Sequence, residues 1–101
     1  MIRGVSGRTP RIHPDTWIDP AAQVIGDVII EAGASIWPGT IVRGDQDNYV
    51  KVGRNTNVQD CSVLHVTPEF PCVVGDGTSR VPERAPGVLG HDPVVRGRSL
   101  R

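Results

Sequence analysis

Aliphatic residues recur along this chain at an interval that fits neither a helix nor a simple alternating strand. Ile18, Val24, Ile30, Ile36 and Val42 stand six apart, five in succession. Ile, Leu and Val fill 26 of 101 positions, so five such hits from a given start arise by chance about once in a thousand. Four residues after each of the first four comes a second inward candidate, Ala22, Val28, Ala34 and Thr40. Gly26, Gly33, Gly39 and Gly44 fall between, where a tight corner calls for positive φ. Six residues do not match a period of 3.6, whereas a short strand and a turn every six residues is the unit of a parallel β-solenoid.

The period breaks twice and returns in phase. Val52, Val58 and Leu64 are again six apart, with Thr56 and Ser62 four after the first two, and Val74 follows with Thr78. Both breaks, Val42 to Val52 and Leu64 to Val74, are ten residues long. Three hexads to a triangular coil give the stacks Ile18/Ile36/Val58, Val24/Val42/Leu64 and Ile30/Val52/Val74. Both excursions then leave from one corner, one coil apart, which is where a rigid scaffold gathers function. The expected organisation is an N-terminal segment over 1–11, a hexapeptide-repeat β-helix over 12–77, and an irregular tail over 78–101. After Thr78 the inward positions fall on Arg80 and Pro86, and the last 24 residues hold five Arg, three Pro, three Gly and no Lys. That tail is expected to be either a disordered basic segment or the result of a truncation or slipped reading frame after Gly77, which would leave the solenoid incomplete with an open edge.

Composition narrows the function classes. Eleven Lys+Arg balance eleven Asp+Glu, too even for a surface that binds nucleic acid. No apolar run exceeds three residues, as in Val28-Ile29-Ile30, far short of a bilayer span or a signal-peptide core. A cytoplasmic protein with no membrane partner is expected. Cys61 and Cys72 form no CxxC pair and are expected as small buried or half-buried thiols.

Candidate chemistry gathers at the excursions, in Arg43, Asp45, Asn57, Gln59, Asp60 and His65. His65 follows Leu64 as Arg43 follows Val42, so the two share one edge, and an imidazole there can hold a metal through one ring nitrogen. The ordered segments Ser35-Ile36-Trp37-Pro38-Gly39, Arg43-Gly44-Asp45, Asn57-Val58-Gln59-Asp60 and Leu64-His65-Val66-Thr67-Pro68, preceded by Trp17-Ile18-Asp19-Pro20, resemble the gamma-class carbonic anhydrase family over about residues 10–77. The resemblance implies a left-handed β-helix, although the general rule for parallel crossovers favours the right hand. It implies a homotrimer with zinc or ferrous iron at each subunit interface, held by three histidines from two subunits, and reversible hydration of carbon dioxide to bicarbonate by a metal-bound hydroxide.

By the same resemblance His65 matches a metal ligand and Gln59 the residue that orients the hydroxide. Asn57 matches a polar neighbour of the substrate, Arg43 and Asp60 an ion pair across the interface, and Asp45 a carboxylate of that interface network. The other two ligands would fall at positions 82 and 87, where this chain has Pro82 and Gly87; His91 is the one later histidine, and His13 lies before the coils as a solvated residue. Gln46 and Pro68 stand where members carry glutamates, one of them a proton shuttle. An inactive, truncated carbonic-anhydrase-like chain is the expected reading. A coenzyme-A-dependent hexapeptide acyltransferase and a non-catalytic assembly subunit are the alternatives.

Overall fold

The computed structural model describes residues 1–78 and the short strand Val94–Val95. The sequence predictions for positions 82, 87 and 91 lie outside these residues. The described chain is a left-handed parallel β-helix of about three coils built on three sheets. The first sheet stacks β1 (Ile2–Arg3), β4 (Gln23–Gly26), β7 (Ile41–Gly44) and β10 (Val63–His65). A second stacks β2 (Arg11–Ile12), β5 (Val28–Ile30), β8 (Val50–Val52), β11 (Cys72–Val74) and β12 (Val94–Val95), and a third β3 (Trp17–Ile18), β6 (Ser35–Ile36) and β9 (Asn57–Val58).

Register follows the six-residue count. Ile18 pairs with Ile36 and Ile36 with Val58; Val24 with Val42 and Val42 with Leu64; Ile30 with Val52 and Val52 with Val74. Every pairing between strands is parallel, and all of the inward aliphatics from Val24 to Val74 are essentially inaccessible. Each contributes about 1.5–3 kcal/mol of transfer free energy against the entropy of ordering short strands.

The core is wider than one residue per hexad. Ala22, Val28 and Ala34 are buried, as are Val50 and Cys72 in register with Val28. The ten-residue interval is therefore a hexad with four residues added before its second inward position. Ile12, in register with Ile30, and Ile18 pack against this core from the first coil. Ile2 pairs with Val24, and Ile2 to Ile12 is again ten residues. A third excursion thus leaves the same corner, closed by a Val5–Arg8 hairpin whose Arg8 guanidinium reaches Asp27 at 2.8 Å.

Three expectations are corrected. Gly26, Gly33 and Gly39 have positive φ, but Gly44 does not; its requirement is space, because a Cβ there would collide with the carbonyl oxygen of Asp27. Cys72 is buried, whereas Cys61 is exposed, since it occupies a corner with φ 59° directly over Gly39 and its side chain projects outward. His13 is exposed as expected but belongs to the first coil, its backbone N–H donating to the Ile30 carbonyl at 3.0 Å.

Candidate functional site

Parallel pairing keeps a sequence offset constant from coil to coil, so His65 lies beside Arg43 on the outward side of the first sheet, with Ile25 one coil further down. Both side chains are half-buried. Arg43 Nε stands 3.7 Å from an Asp45 carboxylate oxygen, inside ion-pair range but outside hydrogen-bond range. It is a buried side-chain nitrogen without a hydrogen-bond partner among the described residues, which costs about 1–3 kcal/mol where nothing else compensates. The Arg43–Asp45 pair is internal to the chain, while Asp60 is exposed in the turn after β9.

The two later excursions stack as their equal lengths predict. Asn48 Nδ2 donates to the Thr67 carbonyl at 3.4 Å, and the Cys72 N–H to the Tyr49 carbonyl at 3.0 Å. Gln46, Pro68, Tyr49 and Phe70 face solvent on these loops. Asn48 and Asp47 also border a small cavity of about 100 Å³ against the N-terminal hairpin, with Asp27 and Asp45 in its wall. A broader groove at another corner is lined by Arg11, His13, Glu31 and Arg54 over Ile12 and Ile29. Neither cleft is lined by His65, Asn57 or Gln59, each of which is half-buried.

Asn57 and Gln59 come from the third sheet and its following turn, one face away from His65. Asn57 is in register with Ser35, whose hydroxyl donates to Asn57 Oδ1 at 2.5 Å and accepts from Trp37 Nε1 at 3.0 Å. Trp37 meets Trp17 edge-to-face, with ring centroids 5.0 Å apart. The backbone carbonyl of Gln59 accepts from the buried Thr40 hydroxyl at 2.7 Å and from the Ser62 N–H at 3.3 Å, which pins the turn between Asn57 and His65. Ser35 and Trp37 were not singled out in the sequence as site residues. The signal that finds them is the 22-residue interval, the same one that joins Arg43 to His65.

Among the described residues no three His, Cys, Asp or Glu side chains converge as a metal site. No helix among them is long and apolar enough to cross a membrane.

Comparison with known proteins agrees with the coil count. Residues 9–44 match the bacterial transferase hexapeptide family model of six repeats. Gamma carbonic anhydrase 2, mitochondrial, of Arabidopsis thaliana is 34% identical over 95% of this chain. A carbonic anhydrase of Geobacillus kaustophilus is 35% identical over 99%, a match that runs past Thr78 into the residues the repeat leaves unexplained. Protein YrdA of Escherichia coli is 38% identical over 94%. The chain spans 33%, 52% and 47% of the lengths of these three relatives, respectively. Coil period, register and identity together make this chain similar to the hexapeptide-repeat proteins and, among them, to the gamma carbonic anhydrases.

Proposed function

We propose that this chain is a gamma-carbonic-anhydrase-like subunit, built to assemble as a homotrimer, whose metal site is incomplete, so that the chain alone does not hydrate carbon dioxide. The observation that carries the reading is the setting of His65: among the described residues it shares its edge with Arg43 and with no second imidazole. Three protein ligands are the minimum for a catalytic zinc. The sequence holds only His13, His65 and His91, and His13 sits in the first coil with its Nδ1 accepting the Asp15 N–H at 2.9 Å. The described residues therefore do not fit zinc or ferrous iron. Arg43, Asp45 and Asp60 are read as the polar edge that faces a neighbouring subunit, with Gln59 and Asn57 beside it as the groups that would border bicarbonate.

Metal analysis of the purified chain, with stopped-flow carbon dioxide hydration, tests this. The expected result is metal content and rate no higher than those of His65→Ala. Stoichiometric zinc or iron that His65→Ala loses, together with hydration above buffer, overturns it. A non-catalytic assembly role is the second reading, favoured by the exposed Trp17 and Trp37 on the face beside Asn57. A monodisperse, metal-free trimer in sedimentation separates it from a chain that only aggregates.

A further inference from the structure

At the open corner the second coil turns at once: β4 ends at Gly26 and β5 begins at Val28, with Asp27 between them. The coil below runs out as the Val5–Arg8 hairpin, and the coil above as the loop over residues 45–49. Asp27 is bonded to both. Its backbone N–H donates to the Gly44 carbonyl at 2.9 Å and its carbonyl accepts the Val50 N–H at 3.0 Å, so the entry and the exit of the upper loop are fastened to a single residue. Its carboxylate binds the coil below, one oxygen accepting from Arg8 at 2.8 Å and the other lying 3.5 Å from the Arg11 guanidinium. Only 14% of that side chain is exposed, so the Arg8 pair is screened less than an open surface bridge, and removing one partner leaves a largely desolvated charge. A cavity of about 100 Å³ lies between hairpin and loop, with Arg8, Asp27, Gly44 and Asp45 in its wall, which gives the loop room to move once its bonds to Asp27 loosen. Asp45, the first residue of that loop, faces Arg43, and Arg43 is in register with His65.

We propose that Arg8 and Asp27 are positioning residues for the Arg43–Asp45 edge: the N-terminal hairpin, acting through the Asp27 carboxylate, fixes the neck of the loop over 45–49 and so the presentation of Asp45 to a neighbouring copy of this chain. The inference rests on the reading of that edge as a subunit surface and deepens it by naming what holds the surface in place. The hairpin touches neither Arg43 nor His65 directly; Asp27 and Gly44 carry its effect.

Amide hydrogen exchange of the ¹⁵N-labelled full chain, paired with sedimentation equilibrium, tests it. Arg8→Ala is expected to speed exchange of the Val50 N–H about fivefold or more, the scale of one lost charge-assisted bond, and to leave the Ser35 N–H, bonded to the Thr56 carbonyl on another sheet at 2.9 Å, unchanged. A general loss of stability would speed both. Asp27→Asn, which keeps the size and removes the charge, is expected to act in the same direction, and Arg8→Lys to restore slow exchange. Self-association is expected to weaken about fivefold in Arg8→Ala, with no further loss when Arg8→Ala is added to Asp45→Asn, since residues that act through one contact are not additive. Val50 exchange at its original rate in both Arg8→Ala and Asp27→Asn overturns the proposal whatever the oligomeric state. Fully additive losses in the Arg8 and Asp45 cycle overturn the link to Asp45. A chain that exchanges as expected and yet never self-associates overturns the subunit-surface reading and leaves the fastening of the loop by Asp27 standing.

Discussion

The three corners of the coil are not built alike. At two of them the second inward position carries a small residue or a hydroxyl: Ala22 then Thr40 and Ser62 at one, Ala34 then Thr56 and Thr78 at the other, all buried. Thr40 donates to the Gln59 carbonyl at 2.7 Å, Thr56 to that of Gly75 at 3.0 Å, and Thr78 to that of Gly75 at 2.8 Å. The third corner carries Val28, Val50 and Cys72, apolar throughout, and from it the excursions leave. A turn closed within a hexad brings backbone carbonyls into a dry interior, where an unmet acceptor is costly and a hydroxyl meets it. At the open corner the chain runs outward before it returns, and the inner wall is sealed by methyl groups. Fixed corners set the pitch, and the variable corner carries the long loops.

This contrast can be broken in graded steps. Leu64→Ala removes the largest inward side chain beside His65 and is expected to cost about 2–5 kcal/mol, as for other buried leucines, seen as a lower denaturant midpoint at unchanged slope. Gly44→Ala is expected to cost about 1–3 kcal/mol by forcing β7 away from the Asp27 carbonyl. The same change at Gly39 meets a flexible Cys61 thiol and chiefly the strain of positive φ, so it is expected to cost less, about 1 kcal/mol; equal losses at the two sites would remove the distinction between a space-limited and a φ-limited corner. Thr40→Val keeps the shape and leaves the Gln59 carbonyl with the Ser62 N–H alone, for about 1 kcal/mol, whereas Val50→Thr at the open corner buries a hydroxyl between Val28 and Cys72 and is expected to cost more. Comparable stability of these two variants would show the corners to be equivalent.

The smallest effect concerns acid. Asp76 accepts the Arg54 backbone N–H at 2.9 Å and faces the Arg54 guanidinium at 3.3 Å, and these bonds hold its carboxyl below the ordinary value of 3.8. A lowered folded pKa adds stability above the unfolded value, and that contribution disappears as pH falls through the folded pKa. The group is solvent-exposed, so the loss is screened and slight. A difference between the chain and Asp76→Asn is expected at neutral pH and should fade as pH falls from 3.8 through the lower folded pKa, read from paired thermal melts.

The sequence made the stacks legible because a parallel coil converts sequence interval directly into spatial neighbourhood, and a six-residue period cannot be mistaken for a helix. Arg43 and His65 meet for that reason. The third excursion was harder to read, since Ile2 is half exposed and carries no inward signal of its own, although its ten-residue interval to Ile12 repeats the other two. Cys61 misled because corner conformation, rather than thiol hydrophobicity, decides where its side chain points. Gly44 misled because close approach and positive φ both select glycine. The donor direction at Asn57 was beyond pattern reading, as it depends on interatomic distance.

Coils with six and with ten residues at the open corner succeed one another here with no slip in register. That corner is therefore a splice point. Segments added between Gln46 and Asp47 lengthen a solvent loop whose closure cost grows only logarithmically with length, while the strands on either side stay paired to the coils above and below. A reporter peptide or a small domain could be carried there on an unchanged scaffold, and the same property explains how one repeat supports sites of different depth by changing loop length alone.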